Sequence, residues 1–164
     1  MKKLPQSNIY GAGAVGIAEL FGDYLEDGSS PENCVVLVLG AKQPSDNARN
    51  AVVKSLSALG YGPNAATFAT VAPQDPAIEG GDIVLDEQAT FMLVEGLDPL
   101  FMIIVDEPTS LLVGRAYRCP LEADAACRVF GRPTVSFRDL EGMLASDAGK
   151  QRAWRLFKSL PKRS

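Results

Sequence analysis

Short, uninterrupted apolar runs are the clearest pattern in this chain. Residues 34–39 and 100–105 are apolar at every position, which is typical of parallel strands covered by helices on both faces. Residues 66–71 and 134–137 predict two further strands, the second following a Gly-Arg-Pro turn. The sequence therefore predicts four short strands.

Segments of helical periodicity separate these strands. Apolar residues recur every three or four positions over about 46–59, and Gly60 follows as a stop. The same spacing predicts helices over about 82–97 and 108–118, the second beginning at Pro108. The remaining predicted helices cover 15–25, a short stretch from Pro120, 138–145 and 148–160.

Strands that alternate with helices of 10 to 15 residues favour βαβ units with right-handed crossovers. We therefore expect an α/β fold, a three-layer α/β/α sandwich with a four-stranded parallel sheet. In chain numbering, the expected strand order is 2-1-3-4. A chain of 164 residues is the size of one domain, so we expect residues 1–164 to form one, with segment 1–30 packed on its core.

Composition places the protein among globular chains, since 46% of its residues are hydrophobic and 22% are charged. No apolar run is long enough to cross a bilayer, so no membrane partner is expected. Pro5, Gln6, Ser7 and Asn8 stand where a signal peptide needs apolar residues. The expected location is the cytoplasm.

The chain has no histidine, which excludes Ser-His-Asp and Cys-His catalysis and histidine-ligated zinc. Its three cysteines, Cys34, Cys119 and Cys127, form no C-x-x-C pair, so we expect neither a structural zinc nor any other metal site. In a cytosolic chain they are reduced thiols that pack as small hydrophobic residues. No complete catalytic set is present, which favours a non-enzymatic role.

One glycine motif matches a dinucleotide-binding pattern. Gly11, Gly13 and Gly16 form G-x-G-x-x-G at the start of a predicted helix, where pyrophosphate could approach the backbone. The upstream strand is missing, and the strand at 34–39 is not followed by the acidic residue that binds a ribose. Close helix packing explains the same glycines, so the sequence identifies no cofactor.

A second group of residues follows two neighbouring predicted strands. Gly40, Lys42 and Ser45 come after the first strand, and Asp106 and Glu107 come after the third. Ligands of open α/β sheets bind beyond the carboxyl ends of such strands. Glycine and lysine beside helix N-termini suit an anion, whereas the two carboxylates suit a magnesium ion or acid–base chemistry. An ordinary turn and a helix cap explain the same residues.

Charge is concentrated at the C-terminus of a chain with 16 basic and 20 acidic residues. Residues 149–164 contain no acid and six bases, namely Lys150, Arg152, Arg155, Lys158, Lys162 and Arg163. Trp154 lies among Arg152, Arg155 and Lys158, a combination that can bind single-stranded nucleic acid through stacking and phosphate contacts. Alternatively, Trp154 joins Ala153, Phe157 and Leu160 in a buried stripe whose bases face solvent.

The segment Leu97–Val105, followed by a helix at Pro108–Leu112, resembles the uracil-DNA glycosylase superfamily in layout. Gly40, with Pro44 soon after it, is similar in position to that family's first catalytic loop. The resemblance covers about residues 34–137 and implies an α/β/α fold that binds a partner or a nucleotide-like ligand. Residues 41–45 contain no water-activating Asp or Asn, and the family's second-loop histidine is absent, so the resemblance does not imply base excision.

These observations leave three functional hypotheses. The leading one is a non-catalytic, glycosylase-like module that binds a partner or a nucleotide-like ligand. The second is a small, Rossmann-like enzyme that uses a dinucleotide at Gly11, Gly13 and Gly16. The third is nucleic-acid binding through the basic C-terminal helix, which predicts an affinity that falls steeply with salt.

Overall fold

The computed structural model describes residues 21–26, 34–71 and 85–162, and the strands of this part form one mixed sheet. They are β1 (Val36–Gly40), β2 (Ala66–Thr70), β3 (Phe101–Ile104), β4 (Ala125–Val129) and β5 (Arg132–Ser136). Their order is β2-β1-β3-β5-β4, with β1 parallel to β2 and β3, and β3 parallel to β5. The predicted α/β class is confirmed.

The prediction of a four-stranded, all-parallel sheet is wrong in detail. The four predicted strands keep their predicted order, but β4 adds an antiparallel strand beside β5, where a short helix from Pro120 was expected. The turn between β4 and β5 holds Phe130 at φ 50° and Gly131 at φ 81°. Two positive φ angles are typical of the tight turns that close hairpins. Phe-Gly lacks the Asn-Gly or Asp-Gly signature of such turns, so the sequence did not reveal this hairpin.

Within residues 34–71 and 85–162, five α-helices accompany the sheet, and each begins where a side chain accepts a hydrogen bond from its first turn. They are α1 (Asp46–Ala58), α2 (Glu87–Leu97), α3 (Glu107–Tyr117), α4 (Leu140–Met143) and α5 (Asp147–Phe157). Their N-caps are Ser45, Asp86, Asp106, Asp139 and Ser146. Such caps satisfy amides that have no partner within the helix.

The core lies in two layers on either side of the sheet. Leu37 and Leu39 of β1 contact the apolar faces of α2 and α3, whereas Val36 and Val38 contact those of α1, α4 and α5. This alternation produces the predicted three-layer sandwich. Within the described ranges, no helix is long and apolar enough to cross a membrane.

The outer edge of β2 is covered by residues from the N-terminal part of the chain. Leu25 forms an antiparallel bridge with Ala69, and the Glu26 amide donates to the Phe68 carbonyl at 3.0 Å. The helix predicted over 15–25 is wrong at its end, because Gly22–Tyr24 is a 3-10 turn and Leu25 is extended. Phe21 is helical, as predicted, and residues 15–20 lie outside the described residues.

Candidate functional site

At the carboxyl ends of β1 and β3, where the sequence predicted a crevice, Gly40 packs tightly against Val105 and Asp106. A Cβ atom on Gly40 would lie 2.8 Å from Val105 Cγ2 and 3.4 Å from Asp106 Oδ2. The Ala41 amide donates to Asp106 Oδ2 at 2.8 Å. The two parallel strands therefore bring Gly40 beside Asp106, as expected, and the glycine serves this close approach.

Both carboxylate oxygens of Asp106 accept hydrogen bonds from its own chain. Its Oδ1 atom accepts hydrogen bonds from the Thr109 amide at 3.0 Å and from Thr109 Oγ1 at 2.5 Å. Its other oxygen accepts from Ala41. The carboxylate caps α3 and ties that helix to the end of β1, which supports the structural interpretation of this residue.

Glu107 and Ser45, which were also predicted at this edge, have structural partners. Glu107 forms a half-exposed ion pair with Arg138 at 3.2 Å. Ser45 caps α1 by accepting from the Ala48 amide at 3.1 Å and donates to Glu141 Oε1 at 2.7 Å. Lys42 is exposed. The structure thus brings Ser45 to Glu141, a partner that sequence reasoning missed.

Two further predictions concern cofactors and thiols. Gly11, Gly13 and Gly16 lie outside the described residues. Cys34 is buried, and burial raises the pKa of its thiol to about 11. Cys119 and Cys127 are partly buried and pack against the core, so the prediction that they are buried small hydrophobic residues holds only in part. Within the described ranges, no three acidic or cysteine side chains are placed to hold a metal ion.

A groove between α1 and α5 is the strongest candidate binding surface. It has a volume of about 450 Å³ and lies where the two helices contact on one face of the sheet. The Tyr61 hydroxyl donates to the Pro161 carbonyl just past the ends of both helices. The lining residues are Asn47, Asn50, Ala51, Lys54, Ser55, Ala58, Leu144, Lys150, Ala153, Trp154 and Phe157.

Trp154 is the only tryptophan of the chain and lines this groove. Its side chain is exposed, with a residue exposure of 36%, whereas Ala153, Phe157 and Leu160 are buried. The alternative that placed Trp154 in the buried stripe is therefore wrong. Lys158 Nζ lies 5.7 Å from the centre of the indole ring, within the range of a cation–π contact.

The groove is cationic although the chain carries a net charge of −4. Lys54 and Lys150 line it, and its lining includes no carboxylate. Arg152 and Arg155 are exposed on α5 but do not line the groove. Sequence reasoning missed Lys54, Asn47 and Asn50, although their spacing of three to four residues places them on one stripe of α1.

A buried polar cluster lies at the amino ends of β3 and β5, at the opposite end of the sheet from Gly40 and Asp106. Arg132 donates to Glu95 Oε2 at 2.6 Å and to the Pro99 carbonyl at 2.9 Å. Tyr117 donates to the same Glu95 oxygen at 2.7 Å. Burial and the neighbouring Glu95 raise the pKa of Tyr117. Within the described ranges, every buried side-chain nitrogen and oxygen has a hydrogen-bond partner, so this cluster has a structural role.

No family model matches the chain, and no curated protein matches it either. The resemblance to the uracil-DNA glycosylase superfamily stays a prediction.

Proposed function

We propose that this protein is a non-catalytic binding module whose α1/α5 groove binds single-stranded nucleic acid. The observation that carries the proposal is the exposed indole of Trp154 in a groove lined by Lys54 and Lys150 and by no carboxylate. An aromatic face beside cations is the combination by which proteins hold unpaired bases and their phosphates.

Each component has a distinct chemical role. The Trp154 ring offers a stacking surface to a base of any sequence, because every base has a π face. Lys54 and Lys150 neutralise phosphates and release counterions. Asn47 and Asn50 also line the groove. Their side-chain amides can donate hydrogen bonds to base edges and accept hydrogen bonds from them. Away from the basic C-terminal helix, the acidic remainder of the chain disfavours nucleic acid by repulsion.

Asp106 and Glu107, at the end of β3, already bond to groups of their own chain, which supports a role without catalysis. Both oxygens of Asp106 accept hydrogen bonds from backbone or hydroxyl groups of the same chain. Glu107 is paired with Arg138. The predicted resemblance to uracil-DNA glycosylases is consistent with a module that binds nucleic acid, and the absence of histidine is consistent with a lack of base excision.

Fluorescence anisotropy of a labelled 12-nucleotide oligothymidine tests the proposal. We expect Trp154→Ala to weaken binding by about 5- to 150-fold, the effect of losing one stacked base. Trp154→Phe retains a stacking ring and should recover much of the affinity. Arg155→Gln is the matched control on the same helix, because Arg155 lies outside the groove lining; its effect should stay below about twofold at physiological salt.

Salt titration of the same complex tests the lysines. Each of Lys54→Gln and Lys150→Gln should reduce the slope of log affinity against log salt by about 0.7. Stacking should also quench the fluorescence of Trp154, since it is the only tryptophan. Absence of binding at low salt, or an affinity unchanged by Trp154→Ala, would refute the proposed function. Tighter binding to the matching duplex would refute single-strand selectivity.

A further inference from the structure

The three cysteines of the chain lie in two different parts of the fold. Cys34 is buried, and Thr67 of β2 forms a hydrogen bond with its thiol. Cys127 belongs to β4, at the opposite edge of the sheet from β2. Cys119 and Cys127 are partly buried, and both pack against the core on the face that α2 and α3 cover.

The chain reverses direction between the end of α3 and Cys119. Arg118 has a φ of 52°, and the Cys119 amide donates to the Gly114 carbonyl at 2.9 Å. A Cβ atom on Gly114 would lie 3.2 Å from the Cys119 carbonyl oxygen and 3.7 Å from the Leu121 nitrogen. The connection from α3 to β4 therefore runs back along the helix and in contact with it.

The alternation of β4 turns Cys127 towards this connection. Ala126 and Arg128 are exposed, so they face away from the core. Cys127 and Val129 alternate with them and contact the core beside α3. Cys127 and the connection that contains Cys119 thus lie on the same face of the sheet.

One aromatic contact fixes the two cysteines along this face. The ring centroids of Tyr117, the last residue of α3, and Phe130, the first residue after β4, lie 4.8 Å apart. From this contact, Cys119 lies about one turn back along α3, since its amide bonds to Gly114. Cys127 lies three residues back along β4. Both cysteines are therefore displaced in the same direction, on segments that face each other.

The charges of the two thiols also interact. Burial and, in addition, the charge of a Cys119 thiolate raise the pKa of Cys127. Two like charges repel appreciably only over a short distance, which agrees with the placement of the two thiols as neighbours. A thiol with a raised pKa is a poor first nucleophile, so the first attack on an oxidant falls to Cys119.

We propose that Cys119 and Cys127 form an intramolecular disulfide by exchange with a small-molecule disulfide such as oxidised glutathione. The Cys119 thiolate attacks one glutathione sulfur, which breaks the S–S bond of the oxidant and releases one glutathione. The Cys127 thiolate then attacks the Cys119 sulfur of the mixed disulfide and releases the second glutathione. The protein loses two electrons and two protons, and the oxidant gains both as two thiols.

Folding and disulfide formation should favour each other. The bond closes a loop of nine residues, 119–127, and such a loop restricts the unfolded chain more than the folded one. The equilibrium constant for exchange with glutathione should therefore be about 10- to 100-fold larger in native buffer than in concentrated urea. Oxidation should raise the melting temperature by roughly 3–10 °C.

Mass spectrometry after alkylation with iodoacetamide identifies the product. Trypsin cleaves after Arg118 and Arg128, so both cysteines lie on one peptide, 119–128. The intramolecular disulfide leaves this peptide unalkylated and lighter by two hydrogens. Cys127→Ser is the matched variant, because it lacks the second thiol and should retain glutathione on Cys119.

An exchange constant that is no larger in native buffer than in urea would overturn the proposal, because the fold would then hold the two thiols apart. Wild-type protein that retains glutathione, or that links two chains, would overturn it as well. If Cys127→Ser fails to fold, the exchange constants of the wild-type protein still decide the question. The α1/α5 groove lies on the other face of the sheet, so this test is independent of oligothymidine binding.

Discussion

Replacing Arg132 by methionine should destabilise the protein strongly, because it leaves the Glu95 carboxylate buried without its cation. The side chains of Arg132 and Glu95 are only 12% and 7% exposed, and their charged atoms lie 2.6 Å apart. Burial alone lowers the pKa of Arg132, but hydrogen bonds with Glu95 and Asp98 raise it overall. The pair therefore holds together two charges that the interior would otherwise disfavour.

The expected loss is about 3–5 kcal/mol, the usual cost of removing one partner from a buried ion pair. Most of this loss comes from Glu95, since the second acidic partner, Asp98, is 78% exposed and an exposed pair contributes little. For a chain of this length, the corresponding drop in melting temperature is roughly 6–20 °C. Urea unfolding followed by circular dichroism gives the free energy directly.

A double-mutant cycle isolates the ion pair from other effects of the substitution. Glu95→Gln removes the negative charge but keeps an oxygen that can accept from Tyr117. With both substitutions the buried charges disappear together, so the double variant should be more stable than the sum of the single losses predicts. We expect a coupling energy of about 1–3 kcal/mol. A loss below about 1 kcal/mol for Arg132→Met, or strictly additive losses, would refute this reasoning.

Two further predictions concern the core thiol and the cap of α3. Burial raises the pKa of the Cys34 thiol from 9.0 to about 11, so the unfolded chain loses this proton first and stability should fall by about 2 kcal/mol as pH rises from about 9 to about 11. Cys34→Ala should show a smaller decline, because the raised pKa of Tyr117 still contributes over the same pH range. Urea midpoints at pH 8 and pH 11 check this, and an equal decline in both proteins would contradict the assignment. Asp106→Ala should cost about 2–4 kcal/mol by removing a helix cap and the acceptor of the Ala41 amide. Glu107→Gln is the neighbouring control and should lower the free energy of unfolding by less than about 1 kcal/mol, because the ion pair of Glu107 is half-exposed. Similar losses for the two variants in urea unfolding would contradict the role of Asp106 as a helix cap.

Local patterns in the sequence were sufficient to predict most of the helices and strands. Helix α1 begins after Ser45 and buries Ala48, Val52 and Leu56 at the predicted spacing. Caps and periodicity act over a few residues, so they can be identified without knowledge of the fold. The order of the four parallel strands also followed from general rules of connection.

The β4–β5 hairpin could not be identified in the same way. Ala125, Ala126 and Cys127 show little strand preference, and Phe130 occupies a turn position that usually holds Asn, Asp or Gly. Pairing with β5 stabilises this strand through ladder hydrogen bonds and packing. β5 is itself held by pairing with the distant strand β3, from Met102 opposite Thr134, and this long-range contribution is absent from any short window of the sequence.

The same distinction explains the two candidate sites. The sequence was sufficient to predict Gly40 and Asp106 at neighbouring strand ends, because parallel strands align their carboxyl ends. Only the tertiary structure decided that both Asp106 oxygens accept hydrogen bonds from the chain itself. The basic residues around Trp154 were visible in the sequence, but the exposure of Trp154 depended on how α5 packs against α1. The partner helix supplies Lys54 from a distant part of the chain, and such a juxtaposition is set by the packing of whole layers rather than by local preference.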